Sequence, residues 1–590
     1  MNPKIVIACL AAWPATSAAS GVPETKVVVG DGAASPEAAG LTWWTRATLN
    51  DNGDVALVAF EEASGGVRVV EADGTVRTVA SYGEASPGGG SGFEEFGLLG
   101  VSLDNAGDVA FFAELDSGAE GLYLGRGGAL STVAEDGQVL PGASAPIVRV
   151  TFPFPDFTSG STQVSPVRRP TLSDNGLVTA TPFLGGGPPA FSIIRGNGLA
   201  PTKTLATWLG ATPTGGTWTQ LSSASLTASG EAIFYGTRAE ASGAVTGYFR
   251  ETATGFDTII ALAPDGTPGR EFFNVPQDGP LISNNLGILY ATAGVDMPGT
   301  MSLSRVILRA DANGTSVIAR QGDSYSNTLD VIGAPIALAG NDAGQSVFAS
   351  AEGSSAFGAI GRAGDDGVLQ IARTGQAAPG GNGVFGNFFE SGIDFDPQAS
   401  INDAGQVVFP AKLQQTASGD ADDVGLFFFD DRLGLLTVAR DGDLLNDETL
   451  TLVLSENGQS GSGANTDAFN ENGQVAFNFL TAEGSQGVAV WTPPSIDDLL
   501  PGDATLDGVV DLADFNVLRN NFGSDFQYFT TGDFDGDGLV NLADFNLLRN
   551  HFGGSAADWA VVDAWRATVP EPAGLGVAIV GGLLVCRRRR

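Results

Sequence analysis

Along its first five hundred residues the chain alternates short apolar strands with polar, glycine-centred turns, and one such pattern recurs eight times. It reads LNDNGDVALVAF from Leu49, LDNAGDVAFF from Leu103, LSDNGLVTA from Leu172, LTASGEAIF from Leu226, ISNNLGILYA from Ile282, GNDAGQSVF from Gly340, INDAGQVVF from Ile401 and FNENGQVAF from Phe469. The central glycines, Gly53, Gly107, Gly176, Gly230, Gly287, Gly344, Gly405 and Gly473, lie 54 to 69 residues apart, the length of one supersecondary unit. Three residues ahead of each stands a short polar side chain (Asn50, Asp104, Ser173, Thr227, Asn284, Asn341, Asn402, Asn470) that can hydrogen-bond nearby backbone and close a turn. The glycine takes a backbone conformation that other residues resist. Apolar positions two and four residues later, such as Val109 and Phe111 or Val407 and Phe409, have the period of a strand with one buried face. Calcium or sugar binding is chemically open to the same Asn and Asp side chains; turn closure is the simpler role.

Two further signatures accompany each turn. An apolar strand ending in a Gly-rich turn precedes it (TVASYGEASPGGG from Thr78, TVAEDGQVLPG from Thr132, IIALAPDGTPG from Ile259, QIARTGQAAPG from Gln370, TVARDGDLL from Thr437), and a second strand follows it (GLYLG at Gly121, GYFRE at Gly247, GLFFF at Gly425). With the stretch leading into the turn, each unit offers about four strands, which describes a propeller blade. A strand-rich solenoid or a string of small sandwiches would show the same periodicity. The last unit ends at GVAVW (Gly487 to Trp491) without its outer strand, while ETKVVVGDG, Glu24 to Gly32, has that signature and no unit before it. Pairing the two closes a ring of eight and removes the open sheet edges. The predicted fold is therefore mainly β, an eight-unit β-propeller-like domain over residues 24–493, followed by a small α-helical module.

The array resembles exported choice-of-anchor tandem-repeat proteins with an NxxGxxAF motif; Asn50, Asn341, Asn402 and Asn470 match the leading Asn, and that family brings no known activity. Composition narrows the chemistry. A formal charge of −38 argues against nucleic acid as a partner. The one histidine, His551, lies outside the array, which removes Ser-His-Asp triads and His-ligated zinc from it. Cys9 and Cys586 are terminal, so the body has no thiol chemistry. Carboxylate pairs remain available for hydrolysis or elimination. The aromatic runs FEEF (Phe93 to Phe96), GNFFE (Gly386 to Glu390) and Trp43-Trp44 suit either sugar platforms or blade cores.

A Pro-containing linker, residues 494–501, leads to two aligned segments, GDATLDGVVDLADFNVLRNNFG from Gly502 and GDFDGDGLVNLADFNLLRNHFG from Gly532. Each follows the twelve-residue calcium loop, in which alternate positions present oxygens and the sixth is a sharply turning glycine. Positions 1, 3, 5, 7, 9 and 12 are Asp503, Thr505, Asp507, the Val509 carbonyl, Asp511 and Asp514 in the first loop, with Gly508 sixth. In the second they are Asp533, Asp535, Asp537, the Leu539 carbonyl, Asn541 and Asp544, with Gly538 sixth. These hard, flexible oxygen sets suit two calcium ions better than magnesium. Phe515, Leu518 and Phe522, and identically Phe545, Leu548 and Phe552, form one helical stripe after each loop, with Gly523 and Gly553 ending the helices. Loop-then-helix, duplicated over residues 502–553, resembles a type I dockerin. The resemblance implies calcium binding and a cohesin-like partner. It departs from the family at Thr505 and at Leu512-Ala513 and Leu542-Ala543.

The ends of the chain carry addresses. Residues 1–19 have a lysine, a short apolar run and small residues at Ser17 and Ala19, as in a secretory signal peptide. After a second linker, residues 554–568, the segment 569–590 joins Pro570-Glu571-Pro572 to an apolar run and four arginines. It resembles the PEP-CTERM sorting signal, which implies processing by an exosortase and a transient or permanent membrane anchor at the cell surface. Together these features predict a non-catalytic secreted or cell-surface binding or structural protein with a calcium-dependent docking module. The alternative is an extracellular polysaccharide-degrading enzyme or accessory subunit, a carboxylate-dependent hydrolase or lyase carrying a dockerin.

Overall fold

A computed structural model describes residues 22–567 apart from 32–46, 60–64, 90, 98–99, 142–144, 151–169, 186–189, 213–214, 242, 263–281, 297–302, 312, 353–355, 387, 389–397, 456–467 and 526. The segments read as signal peptide and sorting signal, and Trp43-Trp44, lie outside the described residues. The chain divides into two compact units, one spanning Pro23–Pro494 and one that includes Ser495 onward. Among the described residues no helix is long and apolar enough to cross a membrane.

The first unit is an eight-bladed β-propeller, one antiparallel sheet per repeat. In the first blade the strands are Thr48–Leu49, Val55–Ala59, Gly66–Val70 and Val76–Ser81, paired in chain order. The recurrent turn joins the first strand of a blade to the second. First strands of successive blades neighbour one another around the ring, and the ring closes from the eighth blade back to the first. The closing element is the N-terminal strand Glu24–Asp31, which pairs antiparallel with Gln486–Thr492, from Glu24 opposite Thr492 to Asp31 opposite Gln486. It supplies the outermost strand that the last repeat lacks.

The turn chemistry repeats eight times. Every motif glycine has φ between +68° and +85°, the left-handed region that only glycine enters without cost. Its N–H donates to the carbonyl of the leading polar residue, whose own N–H donates to the carbonyl four residues on. The apolar positions behave as their period predicts: Val109, Phe111, Val407, Phe409, Val475 and Phe477 are all buried. The aromatic runs join blade cores. Phe93 and Phe96 pack edge-on against Phe111 or Tyr123, and Phe388 stacks with Phe385 beside Phe409.

What holds blade to blade is a ring of side-chain bonds that the motif itself supplies. The carboxamide Nδ2 of Asn50 donates to the Asp104 carbonyl, Asn284 to Asn341, Asn341 to Asn402, Asn402 to Asn470, and Asn470 back to Asn50. Oδ1 of each stays at home, accepting from its own turn at the N–H four residues on. An amide offers an acceptor and a donor on separate atoms of one short side chain at any pH, which suits asparagine to lead the motif at these five turns. Arginines form a second belt. Arg126, Arg195, Arg250, Arg309 and Arg362 on third strands, with Arg77 on the fourth strand of the first blade, each donate to the carbonyl of the next blade's motif glycine. A Cβ at Gly405 or Gly344 would meet the incoming guanidinium at 2.8 or 2.9 Å. The glycine is thus required twice, for its backbone angle and for the arginine's approach.

Candidate functional site

In the second unit, each acidic loop is folded inward by its first and last carboxylates. Asp533 accepts from the N–H groups of Gly536, Asp537 and Gly538, and Asp544 from those of Phe534, Asp535 and Asn541. In the first loop Asp503 accepts from Asp507 and Gly508, and Asp514 from Thr505 and Asp511. Asp507 and Asp537 accept from Val509 and Leu539. Asp511 and Asn541 serve as helix N-caps, accepting from Ala513 and Ala543 and completing capping boxes with Asp514 and Asp544. Gly508 and Gly538 turn at φ +83° and +82°. The loops are equivalent even where their sequences differ: Gly536 takes φ +76°, and Leu506 is held at φ +58° in the matching place, a backbone cost of about 1–2 kcal/mol for a residue with a Cβ.

The result is a concentration of desolvated negative charge. Asp503 and Asp533 are 2% exposed, Asp514 and Asp544 fully buried. Burial first, then neighbouring carboxylates, hold Asp503, Asp514 and Asp544 above the usual carboxylate range. Asp533, Asp535 and Asp537 each offer an oxygen within 4.8 Å of the others, the convergence a multivalent cation needs. The Thr505 hydroxyl stands 3.5 Å from Asp503 Oδ1 in the corresponding part of the first loop.

Two helices, α1 (Leu512–Asn521) and α2 (Leu542–His551), follow the loops, and the halves grip each other reciprocally. Gly523, beyond α1, donates to the Val540 carbonyl in the second loop, and Gly553, beyond α2, donates to the Val510 carbonyl in the first. Phe515, Leu518, Phe545 and Leu548 are fully buried between them. Phe522 and Phe552 are C-caps rather than helical residues, and Gly523 turns at φ +86°, whereas Gly553 has no left-handed angle.

The stretch 554–568 differs from its reading as a linker. Ala556–Arg566 forms a third helix, α3, capped by Ser555 with Asp558. Trp565 packs on Phe515, Phe522 and Phe545 at 5.3, 5.1 and 5.5 Å, and Trp559 on Phe552 at 4.9 Å. The signal was present in the sequence: a Ser-x-x-Asp capping pair followed by Trp559, Val562 and Trp565 at spacings of three. Trp565→Ala should lower the stability of this unit by about 2 kcal/mol, since aromatic pairs contribute ~0.5–1.5 kcal/mol each beyond area burial. Thermal melting followed by the helical signal measures it, and an unchanged midpoint would remove α3 from the core.

The propeller gathers a second acidic group. At six of the eight turns the side chain of the residue after the leading position (Asp51, Asn105, Asp174, Asp342, Asp403, Glu471) receives an N–H from the preceding turn. Glu471 is exposed, yet partial desolvation of its carboxylate, with Asp403, Asp51 and Asp342 nearby, raises it above the usual carboxylate range. These carboxylates are engaged in holding turn to turn, as are the leading Asn residues. The arginine belt and the donor half of the Asn motif went unread in the sequence; an Arg following GLYLG at Arg126, GYF at Arg250 and GAIG at Arg362 was the available sign.

By its geometry the larger unit is a closed β-propeller whose last blade is completed by the N-terminus. Residues 16–192 and 341–495 match a family of unknown function, DUF7453. These segments make up more than half of the chain, and the protein belongs to that family. No curated protein matches it. Solved structures similar to it include the β-propeller domain of the Trilobed protease from Pyrococcus furiosus (10% identity, 76% of this chain and 96% of that one, TM-score 0.31). Others are the six-bladed Aleuria aurantia lectin (11%, 59% and 96%, 0.23) and the polysaccharide lyase Uly1 (8%, 76% and 90%, 0.30).

Proposed function

We propose that the protein is a non-catalytic secreted or cell-surface protein whose propeller presents a binding face and whose C-terminal unit is a docking module ordered by two calcium ions. The observation that carries this reading is the convergence of Asp533, Asp535 and Asp537 in a loop whose twin repeats four of the six backbone bonds to its first and last carboxylates. Asp503, Thr505, Asp507, the Val509 carbonyl, Asp511 and Asp514 would hold one ion. Asp533, Asp535, Asp537, the Leu539 carbonyl, Asn541 and Asp544 would hold the other. Bound calcium supplies charge neutralisation and oxygen cross-linking of each loop. The partner of such a module is a cohesin-like domain, the propeller's ligand an extracellular polysaccharide, and the segments 1–19 and 569–590 serve export and exosortase-dependent sorting.

The carboxylates of the propeller's acidic turns, Asp51, Asp174, Asp342, Asp403 and Glu471, accept backbone N–H groups of neighbouring turns, which gives them a structural role. Incubation of the intact, calcium-loaded protein with a panel of extracellular polysaccharides should show retention of glycan without new reducing ends or unsaturated sugars. Either product would replace this proposal with the enzymatic alternative.

A further inference from the structure

Asp104 interrupts the asparagine ring at the seam between the second and third blades. Its Oδ1 accepts from the N–H groups of Ala106 and Asp108 at 3.0 and 2.7 Å, as asparagine Oδ1 does in the other turns. Oδ2 therefore occupies the place of asparagine Nδ2, whose partner at the latched seams is the carbonyl of the next leading residue, here Ser173. This oxygen is fully buried and has no hydrogen-bond partner among the described residues. An ionised carboxylate would set two acceptors against each other in a site closed to bulk solvent, where an uncompensated charge is strongly disfavoured.

The groups around it favour a proton. Asp108, on the same turn, is paired with Arg126 at 2.5 Å, and that arginine's other arm is engaged with the Gly176 carbonyl of the third blade. Asp174 approaches from the third blade. From the first blade, the Asn50 carboxamide donates to Asp104's own backbone carbonyl and to Asp54, and Asp51 is bonded to Asn105. Burial, reinforced by Asp108 and Asp174 against the pull of the turn's N–H groups, pushes Asp104 up to about 7. The next two seams offer no substitute. The Ser173 hydroxyl bonds within its own turn to Asn175 and Leu177, and that of Thr227 to Ser229.

We propose that Asp104 is protonated in the folded propeller and donates through Oδ2 to the Ser173 carbonyl across the seam, so that this joint is a pH-sensitive counterpart of the five amide-latched seams. The folded group binds its proton more tightly than the unfolded one. Stability from this residue is therefore complete below the ordinary value of 3.8 and is lost progressively as pH rises to about 7, after which it is level.

The test compares the intact, calcium-loaded parent with Asp104→Asn in denaturant titrations from pH 4 to pH 8, with hydrogen exchange read at residues 100–112 and 170–180. The calcium loops titrate alike in both proteins, so the difference isolates Asp104. The two should match near pH 4. By pH 8 the variant's folding equilibrium should be favoured by up to about 10³-fold, tenfold for every pH unit that separates the folded and unfolded titrations, with slower exchange at the seam. Asn402→Asp, which places a carboxylate in a latched seam, should acquire the loss that Asp104→Asn abolishes. Parallel pH profiles for parent and Asp104→Asn, a pH-independent Asn402→Asp, or failure of Asp104→Asn to fold at pH 8 would each overturn the proposal.

Discussion

Removing divalent cations from the full-length protein should unfold the C-terminal unit while the propeller stays intact. The loops bury Asp503, Asp514, Asp533 and Asp544 to 2% exposure or less, and Asp535 and Asp537 stand beside Asp533. Ionised together at neutral pH, these groups repel one another, and the four buried ones have lost most of their hydration, a penalty that a cation relieves. The opposing apolar term is small, resting on α1, α2 and α3 around Phe515, Leu518, Phe545 and Leu548. A unit of about sixty residues with such a core is marginal without a metal, so ion binding should register as folding free energy. Chelation should abolish the helical signal of this unit and expose residues 502–567 to protease. Asp514→Ala or Asp544→Ala removes a buried acceptor of at least two backbone N–H groups and should lower the stoichiometry from two ions to one by calorimetry. Helicity and protease resistance that survive chelation, or two ions retained by Asp544→Ala, would overturn the calcium assignment.

Deletion of Glu24–Asp31 should be the most damaging change that leaves every repeat intact. The strand pairs along the whole of Gln486–Thr492, and without it the eighth blade presents an open ladder to solvent and to other copies. At about 1 kcal/mol for each ladder hydrogen bond, the loss is on the order of 5 kcal/mol. Val28 also packs against the cluster that holds Leu49, Val55 and Leu57 to Val488 and Val490, so the first and last blades lose a shared contact. The deleted protein should aggregate and melt earlier. A synthetic peptide of the missing strand should restore part of the midpoint by binding the vacant edge. A monomer with unchanged melting would show that closure does not depend on this strand.

What the sequence determined by itself was everything encoded within a few residues. The eight turns were legible because the leading polar residue and the glycine act within one turn, through φ angles and bonds to residues no more than four away. Closure by Glu24–Asp31 was legible because one strand signature lacked a unit and one unit lacked that strand. The acidic loops were legible because their ligand-type residues sit at fixed offsets around a turning glycine. The α3 helix had local signals too, in Ser555, Asp558, Trp559, Val562 and Trp565, but the stretch reads as a linker because a short apolar stripe beside a proline-bearing tail has that look. Only the tertiary structure decided what crosses between repeats. The Asn Nδ2 bonds and the arginine belt join residues mostly 30 to 68 positions apart, and one link joins Asn470 to Asn50. Those partners become neighbours only once the ring has closed. The same reason hides the character of Asp104: in its own turn it behaves like any Asn, and its second oxygen is shut away from solvent, as the proposed donor to Ser173, only when the third blade docks against it.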